Sequence, residues 1–392
     1  MATVTHGDVT AAAELIAGRV RKTPVLPAGE LGRRVGSRTL LKAENLQLTG
    51  SFKARGAFNL VGQLPLEALG RGVVAASAGN HAQAVAFAAR AAGTRATLFM
   101  PAQAPLAKVA AVRQYGGDVR LVEGPYEDAH QAAGEFAAET GARVVPAFDA
   151  PEIVAGQGSV GFELARQAPD VRLVVVPLGG GGLASGVGIA LAEATPAARL
   201  VGVQAEERAG STICDGIAIK RPGELTAPLV ERYVDEVVTV SDDQAAEAMV
   251  LLLERSKLLV EGAGAVAVAA LMHGLLEPPP EGSVCAVLSG GNVDATLLAE
   301  CIRLGETAAG RRMVLATVVP DRPGALAALL RLVAEHGANV VDVEHLRDGV
   351  ELHVRETAIK LVLQTRGPEH SREILGAARE HGFRVAVERE VV

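Results

Sequence analysis

The sequence has no tryptophan, and aromatic residues make up only 3% of its 392 positions. Its core must therefore be aliphatic, with abundant glycine and alanine letting helices lie close on strands. Cysteine is scarce too. Cys214, Cys285 and Cys301 form no Cys-x-x-Cys pair and show no metal-ligand spacing. Three thiols cannot all pair within one chain, which points to a reducing cytoplasm rather than a disulfide framework. The N-terminus has no apolar signal core, and no apolar run reaches the ~18 residues of a membrane span. The nearest, VEGAGAVAVAALM (260–272), is shorter, carries Glu261 and reads as a buried core helix. Nor is there an excess of basic charge. The formal net charge of −7 argues against a general nucleic-acid-binding surface.

What is present is alternation. Short apolar strands such as GVVAAS (72–77), ATLFMP, VRLVVVPL (171–178) and SVCAVLSGGN (283–292) alternate with helical patterns up to about residue 305. Fully apolar strands of this kind imply an α/β fold with parallel strands covered on both faces. Ligands in such sheets bind outside the carboxyl ends of the strands. The composition then shifts near residues 303–312 to a polar, glycine-containing stretch. After it the pattern reads βαββαβ, the ferredoxin-like order.

Four stretches carry candidate chemistry. In SFKARGAFN (51–59), Lys53 opens an apolar helical run. It is either a snorkelling lysine on an amphipathic helix or an amine held out of water, partly neutral and nucleophilic. SAGNHAQ (77–83) brings Ser77, Ala78, Gly79 and Asn80 to a helix N-terminus, which attracts anions such as a substrate carboxylate. It could equally be a capped βα turn. PLGGGGLASG (177–186) has four glycines between strand and helix, so its amides can all turn inward around an oxygen-rich group. Gly179, Gly181 and Ala184 also satisfy the dinucleotide pattern, with Glu206 near where a ribose-binding acid would stand; a nicotinamide enzyme is therefore an alternative. LSGGN (288–292) offers Ser289 for one neutral hydrogen bond, or is another capped turn. A lysine together with a phosphate cup calls for an aldehyde cofactor that carries a phosphate, and pyridoxal phosphate is that cofactor.

With KAENLQLTGSFKARGA, SAGNHAQ, GGGGL and SGGN in this order, the chain resembles the serine/threonine dehydratases, threonine dehydratases in particular, among the fold-type II pyridoxal-phosphate enzymes. The resemblance covers nearly all of residues 1–305, and the C-terminal segment resembles an ACT domain. It implies a two-lobed, tryptophan synthase β-like catalytic unit over 1–305, its smaller lobe (about 46–147) inserted in the larger. A linker would follow at 306–312 and the ACT domain at 313–392.

By the same resemblance, Lys53 would hold the cofactor covalently and act as the catalytic base. Phe52 and Asn80 would contact the cofactor, Asn80 at the ring hydroxyl. Gly179, Gly180, Gly181, Gly182 and Leu183 would cradle its phosphate, and Ser289 would face the ring nitrogen. Ser77, Gly79, Asn80 and His81 would bind the substrate carboxylate. The implied reaction is β-elimination of L-threonine, and of L-serine, to a 2-oxo acid and ammonia, as in isoleucine biosynthesis. Serine racemase or L-serine dehydratase chemistry on the same cofactor is the alternative. A non-catalytic amino-acid sensor is weighed against by the presence of Lys53. Ala78 stands where the racemase relative has a serine and has no proton to give. That relative's metal site maps near Glu206, Gly210 and Thr212, where Thr212 replaces an acidic ligand, so no metal is expected. An effector amino acid would meet the amides of Gly324 and Ala325 and the side chain of Asn339. The resemblance further implies a homo-oligomer, dimer or tetramer, in the cytoplasm, without nucleic-acid or membrane partners.

Overall fold

The fully apolar runs form the centre of parallel sheets in a computed structural model that describes residues 3–206, 212–219, 223–347 and 352–387. Packing divides the chain into two units, Met1–Asp294 and Ala295–Val392. In the first, the strands are β1 (Val25–Pro27), β2 (Arg38–Ala43), β3 (Val73–Ala76), β4 (Ala96–Pro101), β5 (Gly117–Val122) and β6 (Arg143–Val144). They continue with β7 (Val171–Pro177), β8 (Arg199–Ala205), β9 (Glu236–Val240) and β10 (Ser283–Leu288).

Two sheets result. The larger has the order β1-β2-β10-β7-β8-β9 and is parallel except for β1. The smaller, β5-β4-β3-β6, is parallel throughout and comes from the chain between β2 and β7. Because β10 lies between β2 and β7, with Leu288 opposite Ala43 and Ala286 opposite Val175, three carboxyl ends lie side by side. From them emerge the segment leading to Lys53, the Ser289 turn and the four glycines.

Close helix contacts explain the glycine content. A Cβ on Gly156 would lie 2.7 Å from the Cα of Gly56, so the Lys53–Gly62 helix crosses the Pro151–Gln167 helix almost backbone to backbone. A Cβ on Gly186 would lie 2.4 Å from the carbonyl of Val154, bringing the Gly182–Ala194 helix equally close. The run 260–272 forms the buried Gly262–Met272 helix, with Glu261 as its N-cap residue.

One cluster breaks the apolar interior. Lys42 and Arg55 are fully buried. The Arg55 guanidinium donates to Glu44 at 2.8 Å, to Glu163 at 2.8 and 3.0 Å, and to the Ser159 hydroxyl at 3.0 Å. Lys42 donates to Glu163 Oε2, which it shares with Arg55, at 2.6 Å, to Gln167 at 2.9 Å and to the Thr23 carbonyl at 2.9 Å. Two cations meet two carboxylates, and the network joins the exit of β2 to two helices.

The second unit comprises the Ala295–Ala308 helix, β11 (Arg312–Pro320), the Ala325–Glu335 helix, β12 (Asn339–Leu346), β13 (Glu356–Gln364), the Pro368–Glu380 helix and β14 (Arg384–Val387). Its antiparallel sheet, β12-β13-β11-β14, packs Leu315, Ile359, Leu361 and Leu363 against Leu329, Val333 and Ile374. The linker expected at 306–312 takes another form here. Residues 306–308 finish the preceding helix and a short turn leads straight into β11. Glu306 and Thr307 are half-buried on that last turn, where the Thr307 hydroxyl donates to the Arg303 carbonyl at 2.9 Å. Among the described residues no helix is long and apolar enough to cross a membrane.

Removing one member of the buried network strands its partners. Arg55→Leu should lower unfolding stability by about 3–5 kcal/mol, read from the urea midpoint, because Glu44 and Glu163 lose their main counter-charge.

Candidate active site

The position of Lys53 follows from a backbone clip. Phe52 N–H donates to the Ser289 carbonyl at 3.0 Å, Gly291 N–H donates to the Gly50 carbonyl at 2.9 Å, and Ser51 pairs with Gly290. Residues 50–52 thus run antiparallel to the turn after β10, and the helix begins at Lys53. The Lys53 amine does not snorkel. Its Nζ donates to the Ala147 carbonyl at 2.8 Å and lies 5.1 Å from the centre of the Phe52 ring. Burial pulls its pKa down to about 8, and the negative charge of Glu261 limits the fall. A partly neutral, nucleophilic amine is the result.

The glycine loop lies next to it. A Cβ on Gly180 would meet the Phe148 ring at 2.4 Å, and one on Gly179 would meet Ile217 at 2.8 Å. Gly181 has φ 85°, the left-handed region that side chains disfavour. Thr226 Oγ1 donates to the Gly180 carbonyl at 2.7 Å, holding the loop by its acceptor side. The first amides of the Gly182–Ala194 helix have no acceptor within the helix. Such a terminus suits phosphate. Ala147, which holds Lys53, and Phe148, which floors the cup, are consecutive, so amine and cup are neighbours. Phe52 and Leu183 share one apolar cluster.

Ser289 is buried, and its hydroxyl has only a long 3.5 Å contact with the Ala263 carbonyl, leaving it fit to serve a ring nitrogen. Asn80, first residue of the Asn80–Ala91 helix, donates from Nδ2 to Glu261 Oε1 at 2.7 Å and accepts at Oδ1 from Asn292 Nδ2 at 2.6 Å. Glu261 is 7% exposed and burial raises its pKa to about 7. Sequence reasoning registered Glu261 only as the charge in an apolar run and assigned Asn292 no role. The usable signal was a lone acid directly before an otherwise apolar helix.

The substrate-side residues are more unequal. The Ser77 hydroxyl accepts the Gly79 N–H at 3.1 Å, which occupies that amide and leaves the Ser77 O–H able to donate. The His81 ring is buried, with Nε2 2.8 Å from the Val145 carbonyl. Burial, reinforced by the charge of Lys53, depresses its pKa to about 3, so the ring stays neutral and donates to that carbonyl. For a carboxylate the loop offers the Ser77 hydroxyl and the backbone amides of Asn80 and His81, at the head of the helix. Elsewhere, Thr212 donates its hydroxyl to Asp242, and Glu206 N–H bonds the Val240 carbonyl at 2.8 Å. Gly210 lies outside the described residues. In the C-terminal unit Gly324 is left-handed at φ 90° and caps the helix that Ala325 begins; the Ala325 N–H turns to the Arg322 carbonyl at 3.3 Å. Asn339 opens β12, exposed, with its amide 3.4 Å from Gln364.

Residues 16–290 match the family described as pyridoxal-phosphate dependent enzyme, and residues 313–375 match the ACT domain. The chain is 42% identical to L-threonine ammonia-lyase of Thermotoga maritima, over 98% of this chain and 99% of that one. It is 41% identical to L-threonine ammonia-lyase of Geobacter sulfurreducens, over 94% and 96%. Among solved structures it is similar to processed threonine deaminase isoform 2 of Solanum lycopersicum: TM-score 0.71, 32% identity, 76% of this chain and 91% of that one. It is also similar to maize serine racemase, with TM-score 0.73, 31% identity, and 77% and 97% covered.

In the cofactor-free protein, acylation of Lys53 followed by peptide mass spectrometry should show a midpoint near pH 8. Glu261→Gln should move that midpoint lower, since the carboxylate's charge is what limits the fall. A midpoint above pH 10, as for an ordinary lysine, would contradict the burial argument.

Proposed function

The chain belongs to the pyridoxal-phosphate dependent enzyme family, and on that premise we propose that it removes ammonia from L-threonine, and from L-serine, leaving a 2-oxo acid. The observation that carries this reading is a lysine amine brought to a pKa of about 8 beside an anion cup that excludes any Cβ. The near-full-length similarity to two L-threonine ammonia-lyases supports the choice of substrate. The nicotinamide reading of Gly179, Gly181 and Ala184 is overturned by the family match. The glycines that suggested it serve instead as a cup beside Lys53.

When bound, the cofactor supplies an aldehyde for amines and a conjugated ring that takes up the electron pair left at Cα. The protein's part follows from its own groups. Gly179, Gly180, Gly181, Gly182 and Leu183 would hold the phosphate, Phe52 the ring, and Ser289 the ring nitrogen through a neutral hydroxyl. Asn80 would face the ring oxygen. The Asn80 and His81 amides, at a helix N-terminus, hold the substrate carboxylate and fix Cα beside Lys53. Ser77 and Gly79 shape that loop. Lys53 Nζ, partly neutral at physiological pH, takes the Cα proton as general base. The β-hydroxyl leaves with that proton as water, and hydrolysis of the freed enamine gives 2-oxobutanoate from threonine or pyruvate from serine, plus ammonia. Racemisation needs a second proton donor, and Ala78 has none to offer.

We infer further that an amino acid at Gly324, Ala325 and Asn339 regulates the enzyme, which works as a homo-oligomer, dimer or tetramer, in the cytoplasm. Regulation of this kind requires the effector to bind one of two global states more tightly.

Ammonia release from L-threonine, L-serine and their D-forms, with and without isoleucine or valine, tests the reading. L-threonine should be consumed with stoichiometric 2-oxobutanoate. Lys53→Ala should lose the near-violet absorption of the bound cofactor and at least about 10³-fold in turnover. Full activity in that variant, or accumulation of D-serine without ammonia, would defeat the proposal.

A further inference from the structure

Asn80 is held from more sides than a loop residue needs. Its Oδ1 accepts from Asn292 Nδ2 at 2.6 Å, and that nitrogen also donates to the Thr49 carbonyl at 2.7 Å. Its Nδ2 donates to Glu261 Oε1 at 2.7 Å. The Asn292 backbone N–H also bonds the Glu261 carboxylate, while Glu261 N–H bonds the Gly290 carbonyl at 3.1 Å. The circuit therefore closes through Asn80, Glu261 and Asn292.

The surroundings leave no slack. A Cβ on Gly290 would lie 2.2 Å from Glu261 Oε1 and 3.1 Å from Asn80 Nδ2. A Cβ on Gly50 would lie 2.5 Å from Asn292 Oδ1. Thr49, which presents its carbonyl to Asn292, sits at φ 59°, a costly conformation for a β-branched residue. Strain of that kind persists only where neighbouring structure over-determines the backbone. Glu261 itself arrives on an irregular strap, residues 257–261, that follows a π-helical turn, Leu252–Ser256, and opens with Lys257 at φ 58°. The Leu259 carbonyl on the strap accepts from Asn45 Nδ2 at 3.0 Å.

A planar amide with Oδ1 and one N–H pinned has its remaining N–H aimed in a single direction. In its ionised form the Glu261 carboxylate can only accept, and that fixes which end of Asn80 is nitrogen. We propose that Glu261 and Asn292 are positioning residues that lock the Asn80 amide so that its second N–H points at the cofactor ring oxygen. The inference rests on the reading that Asn80 faces the bound ring. Its own content is that two residues without contact to substrate set the cofactor's affinity and spectrum through that one amide. The charged groups that also act on Glu261 are Lys53, Asp215 and Lys108, so the substitution chosen for the test keeps size and shape while it removes the charge and replaces one acceptor oxygen by an N–H donor group.

The experiment is reconstitution of cofactor-free full-length protein with pyridoxal phosphate, followed through the near-violet absorption band. Wild type, Asn80→Ala, Glu261→Gln, Asn292→Ala and the double variant Asn80→Ala/Glu261→Gln are compared, with thermal melts to confirm folding. Glu261→Gln carries the test if Asn292→Ala does not fold. An amide offers one acceptor oxygen where a carboxylate offers two, so one donor of the circuit is lost. Each single variant should weaken cofactor binding by about tenfold, the scale of one charge-assisted hydrogen bond. Each should also displace the band, and the double variant should bind no worse than Asn80→Ala. Unchanged affinity and band in Asn80→Ala would remove the ring contact on which the proposal rests. A clear loss in Asn80→Ala without one in Glu261→Gln, or losses that add in the double variant, would overturn the lock alone and leave the ring contact standing.

Discussion

The buried pairing of Arg55 with Glu44 and Glu163 is the constraint on which the site depends. Arg55 stands two residues after Lys53, in the first turn of the same helix. Its guanidinium holds that turn to the exit of β2 through Glu44 and to the Pro151–Gln167 helix through Glu163 and Ser159. Burial opposes the charge on each partner. The opposite charges outweigh it for Arg55, whose pKa is raised, and for Glu44, whose carboxyl is held below its ordinary range. For Lys42 burial dominates and the pKa falls. Ions taken out of water are tolerated only in such well-paired geometry. The fork of a guanidinium also fixes direction, which a single lysine could not do as well. The helix that presents the reactive amine is thus anchored by charge and by the close crossing at Gly56 and Gly156.

On that anchored frame, two groups are shifted toward each other. Burial lowers Lys53 to about 8 and raises Glu261 to about 7. Both then titrate near neutrality, where an ordinary lysine and glutamate would each be fully charged. Shifts of this kind mark sites where protons move. His81 is the contrast. Its own burial, reinforced by the nearby lysine charge, keeps the ring neutral, and its N–H goes to the Val145 carbonyl, so it holds the wall of the site without titrating near neutrality.

Much of the architecture was legible in the residues. Glycine runs after apolar strands, the lysine at the head of an apolar helix, and the βαββαβ order all follow from local chemistry, and each is found where expected. Edge elements were not. β9 is exposed at Glu236, Val237 and Thr239 and buried only at Val240, and β6 spans only Arg143–Val144, too short to produce a pattern. The stretch 306–312 was misjudged because small and polar residues look alike on a half-buried helix end and in a linker.

The sequence by itself determined the chemical inventory: a nucleophilic amine, an anion cup, a neutral serine and a two-part chain. Each is a property of a few adjacent residues. Only the tertiary structure decided how Asn80 is held, that Glu261 belongs beside it, and that the His81 side chain is spent on Val145. Asn80 and Glu261 are far apart in the chain, and a carboxylate's effect depends on what lies within a few ångströms of it. That distance is set where the helix that begins at Asn80 meets the turn after β10, whose Gly290 and Asn292 bond Glu261 and Asn80.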